Sequence, residues 1–212
     1  MNDNRNYDYD AYPEEKRLEY DRIARWIPPG SRVLDLGCGN GALMELLQEN
    51  NCICKGIELS ESGVRHCLDK GLDVQQGRID EELPFESGSF DVAVCNVTIQ
   101  MVLYPEKLLK EMKRVADRQI VSFPNFAYFK NRFDLLVNGR MPRQLLFGYQ
   151  WYSTGHIHQL SLKDYYALVR DIGGLSVQRR DAVPVGYSLL DAAGRIFPNL
   201  FQKTIIVETK NI

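Results

Sequence analysis

Arg32-Val33-Leu34-Asp35-Leu36-Gly37-Cys38-Gly39-Asn40-Gly41 sets an apolar run directly against three alternating glycines. Val33, Leu34 and Leu36 predict a buried parallel strand, and Ala42 to Asn50 has the spacing of a helix. Glycines permit tight backbone angles and let main-chain N–H groups approach a ligand near the positive end of the helix dipole. Strand, glycine loop and helix together predict a nucleotide-binding turn. A turn that merely joins strand to helix is the competing reading, and Glu58 argues against it. Glu58 ends a second apolar run, Ile53 to Ile57, 17 residues beyond Gly41. A second parallel strand would there deliver an acid to a ribose diol.

Gly37, Gly39 and Ala42 also fit the dinucleotide pattern G-x-G-x-x-G/A, so the loop alone leaves the ligand open. Asp35, two residues before the first glycine, decides between ligands by charge. A pyrophosphate beside this carboxylate would be repelled, whereas S-adenosylmethionine brings a sulfonium and an α-ammonium that an acid favours. Asp35, Gly37, Gly39 and Gly41 stand in the order D-x-G-x-G-x-G, which resembles the signature of class I S-adenosylmethionine-dependent methyltransferases.

The bulk composition narrows the class. The 26 basic and 28 acidic residues nearly balance, so no global field draws the chain of 212 residues to nucleic acid or an anionic membrane. The chain has the length of one ordinary domain. No apolar run approaches a membrane span, and the polar start Met1 to Asp10 is unlike a signal peptide, which predicts a cytoplasmic protein. The five cysteines, an odd number on predicted regular elements, argue against a disulfide framework. Cys52-x-Cys54 lacks a second pair or histidine to complete a metal site and reads as two small buried hydrophobes.

Residues 1–30 read as an N-terminal segment and helix, the Asn/Asp/Tyr-rich start being ordered only against something else. Pro13 opens the helix, which runs to about Ile27 with Leu18, Ile23 and Trp26 on its apolar face. Residues 31–212 read as the ligand-binding domain. Its expected helices are Glu61–Lys70, Pro105–Val115, about Asn125 to Val137, and Leu162–Ile172, which Gly173-Gly174 closes. Its expected strands are Asp73–Gln76, Phe90–Asn96 and Gln119–Phe123, with β-prone segments Val177–Val183 and Thr204–Thr209 to close the sheet. Alternating strands and helices through the first 125 residues predict a mostly parallel sheet with helices on both faces and a crevice at the strand carboxyl ends. The aromatic-rich stretch from Gly139 to Leu160 is irregular, and about 125–161 reads as a lid insertion.

The remaining contacts fall at strand ends. Cys38 lies within the loop and Leu59 follows Glu58. Gly77-Arg78-Ile79-Asp80 follows strand three, where many of these methyltransferases read Gly-Asp, the acid accepting a bond from the adenine amino group. Arg78 cannot accept it. Either Asp80 substitutes, or Ile79 packs on the ring. Asn96 and Gln100, at the end of strand four, either bind ligand through neutral amides or cap the strand end. Phe126 and Phe129 are expected in the core, while the lid pair Trp151 and Tyr152 line either a substrate pocket or plain core. His156, His158, Tyr149 and Tyr152 are the candidate bases, and none shows a dedicated catalytic spacing. His156-x-His158 lacks the acids of a metal site.

Thr98-Ile99-Gln100, Val121-Ser122-Phe123-Pro124-Asn125-Phe126, Gly139-Arg140-Met141-Pro142, Tyr149-x-Trp151-Tyr152-x-Thr154 and Ile157-His158 resemble the methionine biosynthesis protein MetW family over about residues 31–181. Of the two histidines, His158 matches the family pattern. The resemblance implies a seven-stranded Rossmann-like methyltransferase fold with an antiparallel final strand. It also implies a partner, a homoserine O-acyltransferase, with S-adenosylmethionine (or S-adenosylhomocysteine) as a sensed end product that need not be consumed. A methyltransferase that moves the methyl group to a small-molecule acceptor is the alternative.

Overall fold

A central strand, β1 (Arg32–Leu36), pairs in parallel with β2 (Ile53–Glu58) on one side and β4 (Phe90–Asn96) on the other. The chain is described here from a computed structural model, which covers residues 8–10, 17–142 and 150–212. The sheet has seven strands in the order β3-β2-β1-β4-β5-β7-β6, with β3 (Val74–Gln76), β5 (Ala116–Pro124), β6 (Leu175–Ala182) and β7 (Thr204–Asn211). The pairings from β3 to β5 are parallel, and β7 runs antiparallel to both its neighbours. The strand order therefore reverses at β1, and a crevice opens there at the carboxyl ends.

Strand alternation feeds two cores. Leu34 and Leu36 face the layer of α4 (Pro105–Val115) and α6 (Leu162–Ile172), whose Leu108, Leu109, Met112, Tyr165 and Val169 are buried against them. Val33, Val92 and Val94 face the layer of α2 (Ala42–Glu49) and α3 (Glu61–Asp69), closed by Ile23, Ala24 and Ile27. Ala24 belongs to the short α1 (Tyr20–Ala24). The expected helices on both faces are thus present. The expected cysteine chemistry also holds, since all five thiols are free and buried. No helix among the described residues is long and apolar enough to cross a membrane.

Some boundaries differ for stated reasons. The first helix is shorter than the periodicity predicts, and Leu18, expected on its apolar face, is exposed. Pro13, its expected start, lies outside the described residues. The helix expected from Asn125 starts later, as α5 (Phe129–Asn138), because Asn125 is committed to a tertiary turn. Its main-chain N–H donates to Lys203 O, and its side-chain amide donates to Asn199 O and Gln202 O. Two helices that the sequence did not announce, α7 (Ser188–Ile196) and α8 (Pro198–Phe201), lie between β6 and β7.

A carboxylate binds this last hairpin to the N-terminal side. Glu208 on β7 is buried and accepts from Arg118 on β5 and Arg179 on β6, and both guanidiniums also donate to Trp26 O. Arg179 additionally stacks on the Trp26 ring, 4.6 Å from its centroid.

Candidate functional site

The ends of β1, β2 and β4 bring the sequence-predicted residues to one edge of the sheet. The loop after β1 folds back on β2: the Gly37 N–H donates to Ile57 O (2.8 Å), and the Gly39 N–H donates to Glu58 Oε2 (2.8 Å). Glu58 Oε1 accepts from the Ser60 N–H at the start of α3 (2.8 Å). Gly37 and Gly39 both have positive φ. A Cβ on Gly37 would stand 2.7 Å from the Thr98 methyl carbon, so the turn after β4 packs directly on the loop.

Asp35 points from β1 into this arrangement and is almost fully buried. Its Oδ1 has no hydrogen-bond partner among the described residues. Burial, with Glu58 beside it, raises its carboxyl to about 7. Burial raises Glu58 too, against the pull of the N–H groups of Ser60 and Gly39. Two neighbouring acids held this way form a poor anion site and a good seat for a cation flanked by hydroxyl groups.

Not every predicted loop residue faces the crevice. Gly41 caps α2 with φ 82°, and a Cβ there would strike Leu72 Cδ1 at 2.2 Å, so its glycine serves packing. Cys38 turns its sulfur into the sheet near Gly56 and offers only main chain. Leu59, Ile79, Gly37, Gly77 and Thr98 line a cleft that opens beside the loop.

The structure narrows the choice left open after strand three. Asp80 accepts from Arg78 through Oδ1 (2.8 Å) and from the Leu103 and Tyr104 N–H groups through Oδ2 (2.7 and 3.2 Å), which secures the start of α4. Ile79 is the apolar residue left to face a ring. Asn96 is likewise held by protein: its Oδ1 accepts from Ser122 Oγ, and its Nδ2 donates to Glu19 Oε1. Gln100 donates to Val97 O. Between them Val97 has φ 49°, a left-handed backbone that a β-branched residue rarely adopts.

The base candidates are dispersed. Tyr149 lies outside the described residues. Tyr152 and Trp151 are exposed and meet edge to face, 5.6 Å between centroids. His158 donates its main-chain N–H to Gln100 O, and its buried Nε2 finds no partner among the described residues. His156 is buried against Phe126, and burial, aided by the Arg17 charge, lowers it to about 4, so the ring is neutral at pH 7. Phe126 is buried as expected, whereas Phe129 is only half-buried at the start of α5, its ring tilted between Tyr128 and Phe201. No group of three metal-ligating side chains occurs among the described residues.

Sequence reasoning missed three contributors. Glu19 reaches Asn96, burial raises the Tyr20 phenol with nearby Asp35 adding to the shift, and Tyr9 packs on Gly39 and Gly63. Only the tyrosine-rich composition of the start signalled Tyr9.

Known proteins resemble this chain in sequence and in fold. A family model described as methionine biosynthesis protein MetW matches residues 17–208. A relative from Rhodopirellula baltica, named bifunctional methionine biosynthesis protein MetXA/MetW, is 33% identical over 177 residues. That match covers 77% of this chain but 28% of the relative. A ubiquinone biosynthesis O-methyltransferase from Hahella chejuensis is 35% identical over 94 residues, 42% of this chain and 40% of that protein. The chain thus spans well under half the length of these curated relatives. Among solved structures, an S-adenosylmethionine-dependent methyltransferase from Mesorhizobium loti superposes with a TM-score of 0.65 at 15% identity, over 92% of this chain and 98% of that one. Magnesium protoporphyrin IX methyltransferase from Synechocystis, with bound S-adenosylhomocysteine, gives 0.62 at 18% identity over 91% and 81%. At these identities the likeness establishes the class I methyltransferase fold.

Proposed function

The chain belongs to the methionine biosynthesis protein MetW family, and from that premise we propose that it binds S-adenosylmethionine and acts with a homoserine O-acyltransferase. One observation carries the ligand assignment: the buried Oδ1 of Asp35, which has no hydrogen-bond partner among the described residues, beside Glu58 at the glycine loop. An α-ammonium supplies a donor and a counter-charge for that oxygen, and a ribose diol suits the Glu58 carboxylate. Ile79 and Leu59 give the adenine an apolar wall. S-adenosylhomocysteine shares all of these groups and fits the same seat.

The partner assignment is supported by the relative whose name joins MetXA to MetW in one chain. It is supported also by apolar surface: Phe133, Leu136 and Val137, on one side of α5, are all exposed. We read residues 125–161, which include α5, as the lid insertion of a domain spanning 31–212. Co-expression with the acyltransferase of the same genome tests the reading. The two proteins should co-elute, and acyl transfer should respond to S-adenosylmethionine only when both are present. Separate elution with unchanged acyl transfer overturns it.

The ubiquinone O-methyltransferase relatives favour a second reading, methyl transfer to a small molecule. The sulfonium makes the methyl carbon electrophilic, and this chain would need only to align an acceptor against it. Release of labelled methyl product from pathway metabolites separates this reading from the first.

A further inference from the structure

We propose that Tyr9, carried on a strap formed by Asp8, Tyr9 and Asp10, is the outer wall of the S-adenosylmethionine site and contacts the ligand directly. The proposal rests on the ligand reading given above and adds a binding residue outside the glycine-loop signature.

The strap is fastened to α3 at three points. The Asp10 carboxylate pairs with Arg65 and with His66 Nε2, the latter at 2.8 Å. The Tyr9 N–H donates to Ser62 Oγ (2.9 Å), and the Asp10 N–H closes the turn on Asp8 Oδ1 (3.0 Å). Ser62 Oγ lies 2.9 Å from Ser60 Oγ, and the Ser60 N–H donates to Glu58. A hydrogen-bonded path thus runs from the strap to the carboxylate assigned to the ribose.

The Tyr9 ring is set between the two backbones that flank Glu58. A Cβ on Gly39 would lie 2.8 Å from the Tyr9 hydroxyl, and one on Gly63 would lie 3.1 Å from Tyr9 Cδ2. Gly63 is the independent sign that this approach is built in. It sits inside α3, where glycine lowers helix stability, and its φ is not one that demands glycine. Close approach explains it: the same Cβ would meet Gly39 O at 2.9 Å and Glu58 Cγ at 3.0 Å. Loop, acid and tyrosine therefore converge on one helix position. Burial and the nearby Glu58 keep the Tyr9 phenol protonated, so it remains a hydrogen-bond donor. A flat ring with a donor at its tip suits the sugar and amino-acid half of the ligand, leaving the adenine to the cleft at Ile79.

Calorimetric titration of S-adenosylmethionine into the wild type, Tyr9→Ala, Tyr9→Phe and Ser62→Ala tests the assignment. Tyr9→Ala should weaken binding at least tenfold, Tyr9→Phe less than that, and Ser62→Ala should fall between wild type and Tyr9→Ala. Hydrogen exchange at the Tyr9 and Asp10 amides should slow on ligand addition in the wild type. Unchanged affinity in a folded Tyr9→Ala protein overturns the proposal and makes the ring a packing residue. Tighter binding overturns it too and makes the ring an obstruction. If the wild type itself does not bind, the ligand reading has failed, a result distinct from either. If Tyr9→Ala does not fold, Ser62→Ala with the exchange measurement decides: unchanged affinity and unchanged exchange overturn the proposal.

Discussion

Glu58 accepts a 2.8 Å hydrogen bond from the main-chain N–H of Gly39, which ties the end of β2 to the loop after β1. Residues separated by a whole helix thereby become one rigid seat. The acid shapes the loop with one oxygen and holds Ser60 with the other, and each oxygen has a further lone pair to offer a ligand.

Replacing that acid should therefore cost binding more than stability. Glu58→Ala should abolish detectable S-adenosylmethionine binding, since it removes the ligand acceptor and frees the loop together. Glu58→Gln retains one acceptor oxygen and should bind about 10-fold more weakly than wild type, the loss of one charge-assisted hydrogen bond of about 1.5–3 kcal/mol being the upper range. Calorimetric titration measures both. Near-wild-type affinity in Glu58→Ala would remove the ribose assignment.

Asp35 should make binding depend on pH. Its folded carboxyl lies at about 7, above the ordinary value, so folding disfavours the ionised form and the protein alone loses stability from this group as pH rises from about 4 through 7. A cationic ligand needs the ionised form. Affinity should thus rise with pH up to about 7, by about tenfold per unit below it, and level off above, with a proton released on binding. Titrations in two buffers of different ionisation enthalpy read the proton directly. Asp35→Asn should lose binding and flatten the profile, while unfolding at a higher urea concentration than wild type at pH 8. A wild-type affinity that does not change between pH 5.5 and 7.5 would contradict the assignment.

The two acids and the glycines were legible in the sequence because each sits at a strand end, where period-two burial and loop composition point to the same place. The strand Phe90–Asn96 was legible for the same reason, and the helices Pro105–Val115 and Leu162–Ile172 have the bounds that their apolar spacing at helical period predicts. Asn125 was not legible as a turn residue, because its commitment is to carbonyls more than 70 residues away. The helices α7 and α8 were hidden because Gly194 and Pro198 interrupt them and their apolar residues Leu189, Ile196 and Phe197 are exposed. Tyr9 escaped because the residues that hold it and its neighbour Asp10 (Ser62 for Tyr9, Arg65 and His66 for Asp10) are distant in sequence. The engagement of Asp80 and Asn96 with protein groups is likewise a tertiary fact that spacing does not encode.

The exposed stripe on α5 should separate partner binding from ligand binding. Phe133, Leu136 and Val137 recur at helical spacing, and Leu136 is 84% exposed, so a polar residue there disturbs no core. Leu136→Asp should abolish co-elution with the acyltransferase and leave S-adenosylmethionine affinity within about twofold, a change of about 0.4 kcal/mol. Size-exclusion chromatography of the co-expressed pair gives the first readout and calorimetry the second. Retained co-elution of Leu136→Asp and Phe133→Asp would move the interface elsewhere.

Glu208 should govern stability without touching the ligand. It is 3% exposed, lies between the Arg118 and Arg179 guanidiniums on adjoining strands, and sits on β7, three strands from β1 in the sheet order. Removing one member of such a group leaves charges facing one another with no counterion, which is worse than having no group at all. Arg118 is the more buried of the two, and Arg179 is partly screened by solvent, which lowers the cost below that of a fully enclosed triad. Glu208→Ala should therefore destabilise the protein by about 2–4 kcal/mol in urea unfolding. Adding Arg179→Ala should give back little, because that side chain still stacks on Trp26 and donates to its carbonyl. S-adenosylmethionine affinity should stay unchanged in Glu208→Ala at temperatures where the variant is folded. A stability loss below about 1 kcal/mol would mean that the two arginines find water in place of the carboxylate, as exposed pairs do.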